Sequence, residues 1–252
     1  MVAFAVSGAL AGKVAVVTGG SQGIGRAIAS RFVQEGATVF IAGRREAELA
    51  TAAAEIGARG LRADVAQLDD LDRLFERIRA DAGRIDILVA NAGGGEIARL
   101  EAITEAGFDR TFGVNVKGVV FTVQKALPLL SSGASVILVG SSGSVRALPS
   151  QSLYGATKAA LRSFARSWMI ELRDRSIRVN VLSPGPVETP SLLSMAEPGG
   201  EAAFLARVAR SVPMGRVGRA DEIAAAAVFL ASEAASFVNG AEFFVDGGHG
   251  QA

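Results

Sequence analysis

The sequence predicts an α/β protein, one domain over residues 1–252, built as a doubly wound parallel sheet of about seven strands with helices on both faces. Three observations predict it. Short runs rich in Val, Ile and Phe alternate with stretches whose apolar residues recur at helical spacing. The short runs are apolar on successive residues, as strands covered on both faces must be. No Pro/Gly/Ser-rich linker or shift of composition divides the chain, and no internal repeat exceeds the alternation itself.

The strand-like runs, in order, are VAVVTG from Val14, TVFIAG from Thr38, ARGLRADV from Ala58, IDILVANAG from Ile85, SVILVGS from Ser135, IRVNVLSPG from Ile177 and AEFFVDGG from Ala241. GRAIASRFVQEG and DDLDRLFERIRADAG, among the segments between them, carry the helical period. The apolar opening MVAFAVSGALAG lacks a basic start and runs straight into the first strand, so it is read as a short extension and not a secretory signal. One long interruption, residues 190–213, follows a strand and holds a helical piece from about Glu201 to Arg210. That is where a lid over a ligand would sit, though a surface excursion has the same appearance. Its Leu192, Leu193, Met195, Phe204 and Leu205 suit either an apolar pocket wall or the segment's own packing stripe.

Composition removes several function classes. With 26 basic and 25 acidic residues, the net charge of +1 gives no electrostatic case for nucleic acid or an acidic membrane as partner. No stretch reaches the ~18 apolar residues of a membrane span. The chain has no cysteine, which excludes disulfides and thiolate chemistry and fits a reducing cytoplasm, the expected location. The single histidine, His249, cannot form the His pair of a metal site, and it lies so near the end that a Ser-His-Asp scheme would have to recruit the tail. It is read as a tail residue near an interface and not as a ligand, and no metal is expected. Proton transfer is left to a carboxylate, a lysine or a tyrosine.

Directly after the first strand comes TGGSQGIGRAIA, in which Gly19, Gly23 and Gly25 enter a helix with Ser21, Gln22 and Ile24 among them. Such a turn brings backbone amides and a helix N-terminus close to a pyrophosphate, as in a Rossmann-type dinucleotide site. The spacing is T-G-x-x-x-G-x-G and not G-x-G-x-x-G, but strand, turn and helix follow in the required order. At the end of the second strand an acid would bind the ribose hydroxyls of NAD. Here Arg44 and Arg45 stand instead, which points to the 2′-phosphate of NADP, with NAD as the alternative should these arginines be merely solvated. Asp64, with Val65 beside it, is placed to meet the adenine or to cap a helix.

Tyr154 is the only tyrosine in the chain, and Lys158 follows it at i+4 on one helical face. A free phenol, with a pKa of about 10, exchanges protons poorly at neutral pH, and a nearby ammonium would lower it. TGGSQGIG, NAG at Asn91, Ala92 and Gly93, VNVKG around Asn115, a serine ahead of YGATK, SPGPVET and a terminal VDGG then occur in that order. In this order the chain resembles the short-chain dehydrogenases/reductases from Lys13 to Gly248, the ketoacyl reductase, glucose dehydrogenase and carbonyl reductase members in particular.

The resemblance implies reversible hydride transfer between a nicotinamide cofactor and a carbonyl, with Tyr154 giving the proton. It implies that Lys158 also reaches the nicotinamide ribose. The family's serine ends a strand thirteen positions before the tyrosine, which selects Ser141; Ser142 takes its place if the loop register differs by one, and Ser144 is too close. Asn115 matches an asparagine that holds a relay water, or its amide satisfies a helix kink. Asn91, Ala92 and Gly93 resemble the turn beside the adenosine, more architectural than catalytic. Pro184, Gly185, Val187 and Thr189 resemble the loop that receives the nicotinamide carboxamide, and Gly94, Gly95 and Leu148 fall near the pocket in motif order. Relatives of this length are commonly homotetramers, with a homodimer as the alternative. Two other readings stay open: an alcohol or sugar dehydrogenase working in oxidation, and an inactive nucleotide sensor of the same fold.

Overall fold

A computed structural model describes residues 8–252; residues 1–7, where the opening extension begins, lie outside it. Seven parallel strands form one sheet in the order β3-β2-β1-β4-β5-β6-β7. They are β1 Val14–Thr18, β2 Thr38–Gly43, β3 Arg59–Arg62, β4 Ile85–Ala90, β5 Leu130–Val139, β6 Arg178–Pro184 and β7 Glu242–Val245.

The alternation of side chains along each strand builds two cores from one sheet. Val14 and Val16 of β1, with Phe40, Leu88, Val136, Leu138, Val179 and Val181, pack on one face. Against them lie α3 (Leu68–Ala82), α5 (Gly118–Ala126) and α6 (Ser152–Glu171), through Leu71, Phe75, Val123 and Leu161. The intervening Ala15 and Val17, with Ile41, Val89, Ile137 and Leu182, pack on the other face. That face is covered by α1 (Gly23–Gln34), α2 (Glu46–Ile56) and α9 (Ala220–Ala231), through Ile28, Phe32, Leu49 and Leu230. The doubly wound architecture expected from the strand runs is therefore the one found.

The edge strands depart from the two-sided apolar pattern. Arg59, Gly60 and Arg62 of β3 are exposed, and β7 is only partly buried. Each has a neighbouring strand on one side only, so its burial is incomplete. β5 also begins five residues before the Ser135 run, because Leu130 pairs with Ile85 ahead of a register irregularity.

Three features of the topology and its connections shape the site. Sheet order reverses between β1 and β4, which opens a crevice at their carboxyl ends. Residues 190–213 form two helices, α7 (Pro190–Leu193) and α8 (Glu201–Ala209). The first starts sharply, since Pro190 opens it and Thr189 Oγ1 accepts from Leu192 N at 3.2 Å. α4 (Glu105–Phe112) passes into α5 through a π-helical turn, Gly113–Lys117, that contains Asn115.

Candidate active site

The site is built where the sheet order reverses. Thr18 Oγ1, at the end of β1, accepts from Asn91 N at 3.1 Å and Ala92 N at 3.0 Å. Asn91 Nδ2 donates back to the carbonyls of Thr18 at 2.9 Å and Gly19 at 3.2 Å. Asn91 thus ties the end of β4 to the turn after β1. Gly19 takes φ +66°, and a Cβ on Gly25 would fall 2.2 Å from the Gly19 carbonyl oxygen. No side chain fits there, so the turn closes tightly over the start of α1. The Gln22 side chain does not cap that helix and its first turn holds no acid, which leaves the amide end free for an anion.

A cleft of about 1110 Å³ runs from this turn along the carboxyl ends of the strands. Gly19, Ser21, Gln22, Gly23, Ile24 and Gly25 line it, as do Arg44, Arg45, Asp64, Val65, Asn91, Ala92 and Gly93. Further along lie Ser141, Tyr154, Lys158, Pro184, Gly185, Val187 and Thr189. The lining carries four fixed or titratable cations, Arg44, Arg45, Lys158 and Arg207, against one carboxylate, Asp64. A dinucleotide fits this donor set: a glycine cradle and helix amides for the pyrophosphate, and guanidinium groups at one end.

The two arginines differ. Arg45 donates to Gln22 Oε1 at 2.8 Å and pairs with Glu48 at 3.4 Å, whereas Arg44 is exposed and makes no ion pair among the described residues. Asp64 does not act as the N-cap of α3, which is Gln67. Its Oδ1 accepts from Ala66 N at 3.0 Å, and its own N–H donates to the buried carboxylate of Asp70 at 2.8 Å. That bond holds Asp70 below the usual carboxylate range.

Ser141, Tyr154 and Lys158 meet at the middle of the cleft. Ser141 ends the chain segment after β5, and its Oγ accepts from Gly143 N at 3.1 Å. Burial pushes the Tyr154 phenol above its ordinary value, opposed by hydrogen bonding from the Ser141 hydroxyl. Lys158 Nζ donates to the Val139 carbonyl at 2.7 Å and lies 5.7 Å from the centre of the Tyr154 ring. Burial brings its pKa down to about 8. Asn115 is the one candidate that does not line the cleft. It is fully buried behind it, with Oδ1 accepting from Gly94 N at 3.0 Å and Nδ2 donating to Gly94 O at 2.7 Å and Thr157 Oγ1 at 3.0 Å.

Similarity to known proteins bears on this geometry directly. The family model described as enoyl-(acyl carrier protein) reductase matches residues 19–249. The oxidoreductase asL5 of Sarocladium schorii is 46% identical over 246 residues, covering 96% of this chain and 97% of that protein. The chain belongs to the short-chain dehydrogenase/reductase family. The 3-oxoacyl-[acyl-carrier-protein] reductase FabG of Thermotoga maritima is 36% identical over 248 residues, covering 95% of this chain and 98% of that protein. A solved double-mutant form of a Serratia marcescens short-chain dehydrogenase/reductase superposes with a TM-score of 0.88 at 32% identity, covering 96% of this chain and 99% of that one.

The geometry bears on three expectations within this short-chain dehydrogenase/reductase. Lys158 does not dominate the phenol: its ammonium is held on Val139, and burial raises Tyr154 instead of a cation lowering it. Ser141 and Ser142 are not interchangeable, because Ser142 Oγ is buried 2.9 Å from His249 Nδ1 while Ser141 faces the phenol. His249, read from sequence as a tail residue near an interface, is 3% exposed within the chain itself and lines the cleft. The Ser142–His249 pair is not a hydrolytic triad, since Nδ1 is engaged by the serine itself and no carboxylate hydrogen-bonds the ring among the described residues. Of the lid candidates, Leu192, Met195 and Phe204 line the cleft, but Leu193 and Leu205 do not. Spacing finds the wall on α8 in retrospect, as Phe204, Arg207 and Val208 stand at i, i+3 and i+4 on one face.

Proposed function

We propose that this oxidoreductase is an NADP(H)-dependent ketoreductase, interconverting a ketone or aldehyde and an alcohol. The observation that carries the reading is the convergence of Ser141, Tyr154 and Lys158 in one cleft with the glycine turn and Arg44. The printed activity of the Thermotoga maritima relative, a 3-oxoacyl reductase, supports ketone reduction as the class. Bound NADP(H) would lie with its pyrophosphate on the Gly19 turn and its 2′-phosphate by Arg44, and would supply or accept the hydride.

The chain's own groups do the rest. Ser141 donates a hydrogen bond to the carbonyl oxygen and stabilises the charge that grows there as hydride reaches the carbon. Tyr154 transfers its proton to that oxygen, which gives the neutral alcohol. Lys158, with a pKa of about 8, is able to return a proton to the phenolate at near-neutral pH. Asn115 holds the Gly93–Gly94 strip that borders Lys158, a positioning role through hydrogen bonds to Gly94. α7 and α8 serve as the lid, laying an apolar wall over the substrate end and excluding water.

On the same reading the enzyme works in the cytoplasm as a homotetramer or homodimer; exposed Phe237, Ile170 and Phe243 supply apolar surface for association. Assaying a panel of ketones and alcohols with both dinucleotides tests the assignment. Ketone-dependent oxidation of NADPH well ahead of NADH is the expected result. A clear preference for NAD(H) would remove the cofactor assignment, and turnover confined to non-carbonyl substrates would remove the reaction.

A further inference from the structure

The C-terminal tail drives the chain's only histidine into the site. After β7, Asp246 Oδ1 accepts from Gly248 N at 2.9 Å and Oδ2 from Gly250 N at 2.7 Å. The chain doubles back there, and His249 packs against the turn that carries Ser141. Arg146, from the same turn, donates to the His249 carbonyl and closes the arrangement.

The tautomer follows from the hydrogen bonds. Ser142 is 3% exposed, and His249 Nδ1, at 2.9 Å, is the one side-chain partner of its hydroxyl among the described residues. Were Nδ1 protonated, the hydroxyl's own proton would be buried without an acceptor, which is unfavourable. The hydroxyl therefore donates to Nδ1, and the ring proton sits on Nε2. Burial and the neighbouring Arg146, against the weaker pull of Asp246, hold the imidazole below its ordinary value, which keeps it neutral.

Nε2 takes no hydrogen bond among the described residues. It is also not sealed: among the described residues the buried side-chain atoms without a hydrogen bond are Thr122 Oγ1 and Glu242 Oε2, and Nε2 is not one of them. The space that His249 borders is the cleft it shares with Ser141 and Tyr154. The same cleft is lined by Leu148, Leu192, Met195, Phe204 and Val208, with Gln151, Arg207 and Ser211 among them, so a fixed N–H borders a substrate end with few competing polar groups.

We propose that His249 is a specificity-determining residue, whose Nε2–H donates to a second oxygen of the substrate. The enzyme then favours bulky ketones that carry another hydroxyl or carbonyl over the corresponding plain ketones. This rests on the ketoreductase reading. A donor fixed at that end discriminates because a substrate without an acceptor leaves it unpaired.

The test compares kcat/KM with NADPH for 1-tetralone and for its 2-, 3- and 4-hydroxy derivatives, which move the second oxygen around one scaffold. For the wild type, at least one hydroxytetralone is expected to exceed 1-tetralone by about tenfold. His249→Phe keeps a ring in place and removes the N–H, and the ratio falls towards one. Ser142→Ala keeps the imidazole and removes its anchor; it moves the ratio the same way and carries the test if the His249 variant does not fold. Equal wild-type rates, or a ratio unmoved in the variant that folds, overturn the proposal and leave ketone reduction standing. Reduction of none of the four ketones overturns both.

Discussion

Lys158 Nζ donates to the main-chain carbonyl of Val139 at 2.7 Å, so the helix that carries Tyr154 is pinned to the last residue of β5. The bond explains how a lysine tolerates full burial beside a phenol whose own charge is disfavoured.

It also sets a pH dependence. Lys158 has a folded pKa of about 8 against an ordinary 10.5. Between those values the unfolded chain still holds a proton that the folded chain has lost. Stability from this group therefore rises with pH across that window, by at most about 1.4 kcal/mol per pH unit, and its unfavourable contribution is complete below pH 8. Tyr154, raised above 10, has the opposite slope only above pH 10. Urea unfolding of the cofactor-free protein between pH 7.5 and 10 should show this rise in the wild type and lose it in Lys158→Met. Identical slopes for the two proteins would remove the depressed lysine.

Tyr154→Phe keeps the ring that Gly95 and Gly143 pack around and removes the transferable proton. Turnover should fall by about 10²–10⁴ while NADPH still binds, read by nucleotide fluorescence and steady-state rates. Ser141→Ala should fall by about 10², as the loss of one oxyanion donor does. Near-normal kcat in the tyrosine variant contradicts the assignment of Tyr154 as the proton donor.

The parts of the molecule legible in sequence were those with local rules. Strand runs such as that at Ile85 and the glycines at Gly19 and Gly25 carry their physics in neighbouring residues. The i, i+4 spacing placed Tyr154 and Lys158 on one helix, but not the Val139 carbonyl that takes the ammonium, because that partner is 19 positions away across a loop. His249 was illegible for the same reason on a larger scale: its contact with Ser142 spans 107 positions and depends on Asp246 folding the tail back. Which serine faces the phenol turned on that contact too, since His249 claims Ser142 and leaves Ser141 to Tyr154.

Arg44 and Arg45 make a second discriminating pair. Arg45 is engaged with Gln22 and Glu48, so Arg44 is the better placed to meet a 2′-phosphate without breaking existing bonds. Arg44→Ala should raise KM for NADPH by about tenfold and change KM for NADH much less, and Arg45→Ala should have the smaller effect on NADPH. Equal changes for both dinucleotides in Arg44→Ala would mean that it reads no phosphate.

Asn115 sits in a π-helical turn, yet its amide is spent outside that turn, on both backbone groups of Gly94 and on Thr157. Replacement by Ala removes three hydrogen bonds, but Gly94 is exposed and water would satisfy its freed groups, so the loss of stability should be about 1–3 kcal/mol by urea unfolding. The larger effect should fall on kcat. A Cβ on Gly93 would lie 3.2 Å from Asn115 Oδ1 and 3.4 Å from Lys158 Nζ, so the strip that Asn115 anchors is what Lys158 packs beside. A drop in kcat at saturating NADPH and ketone, with KM for NADPH little changed, is the signature of a loosened Lys158. A variant that loses stability but keeps its kcat would confine Asn115 to holding the fold.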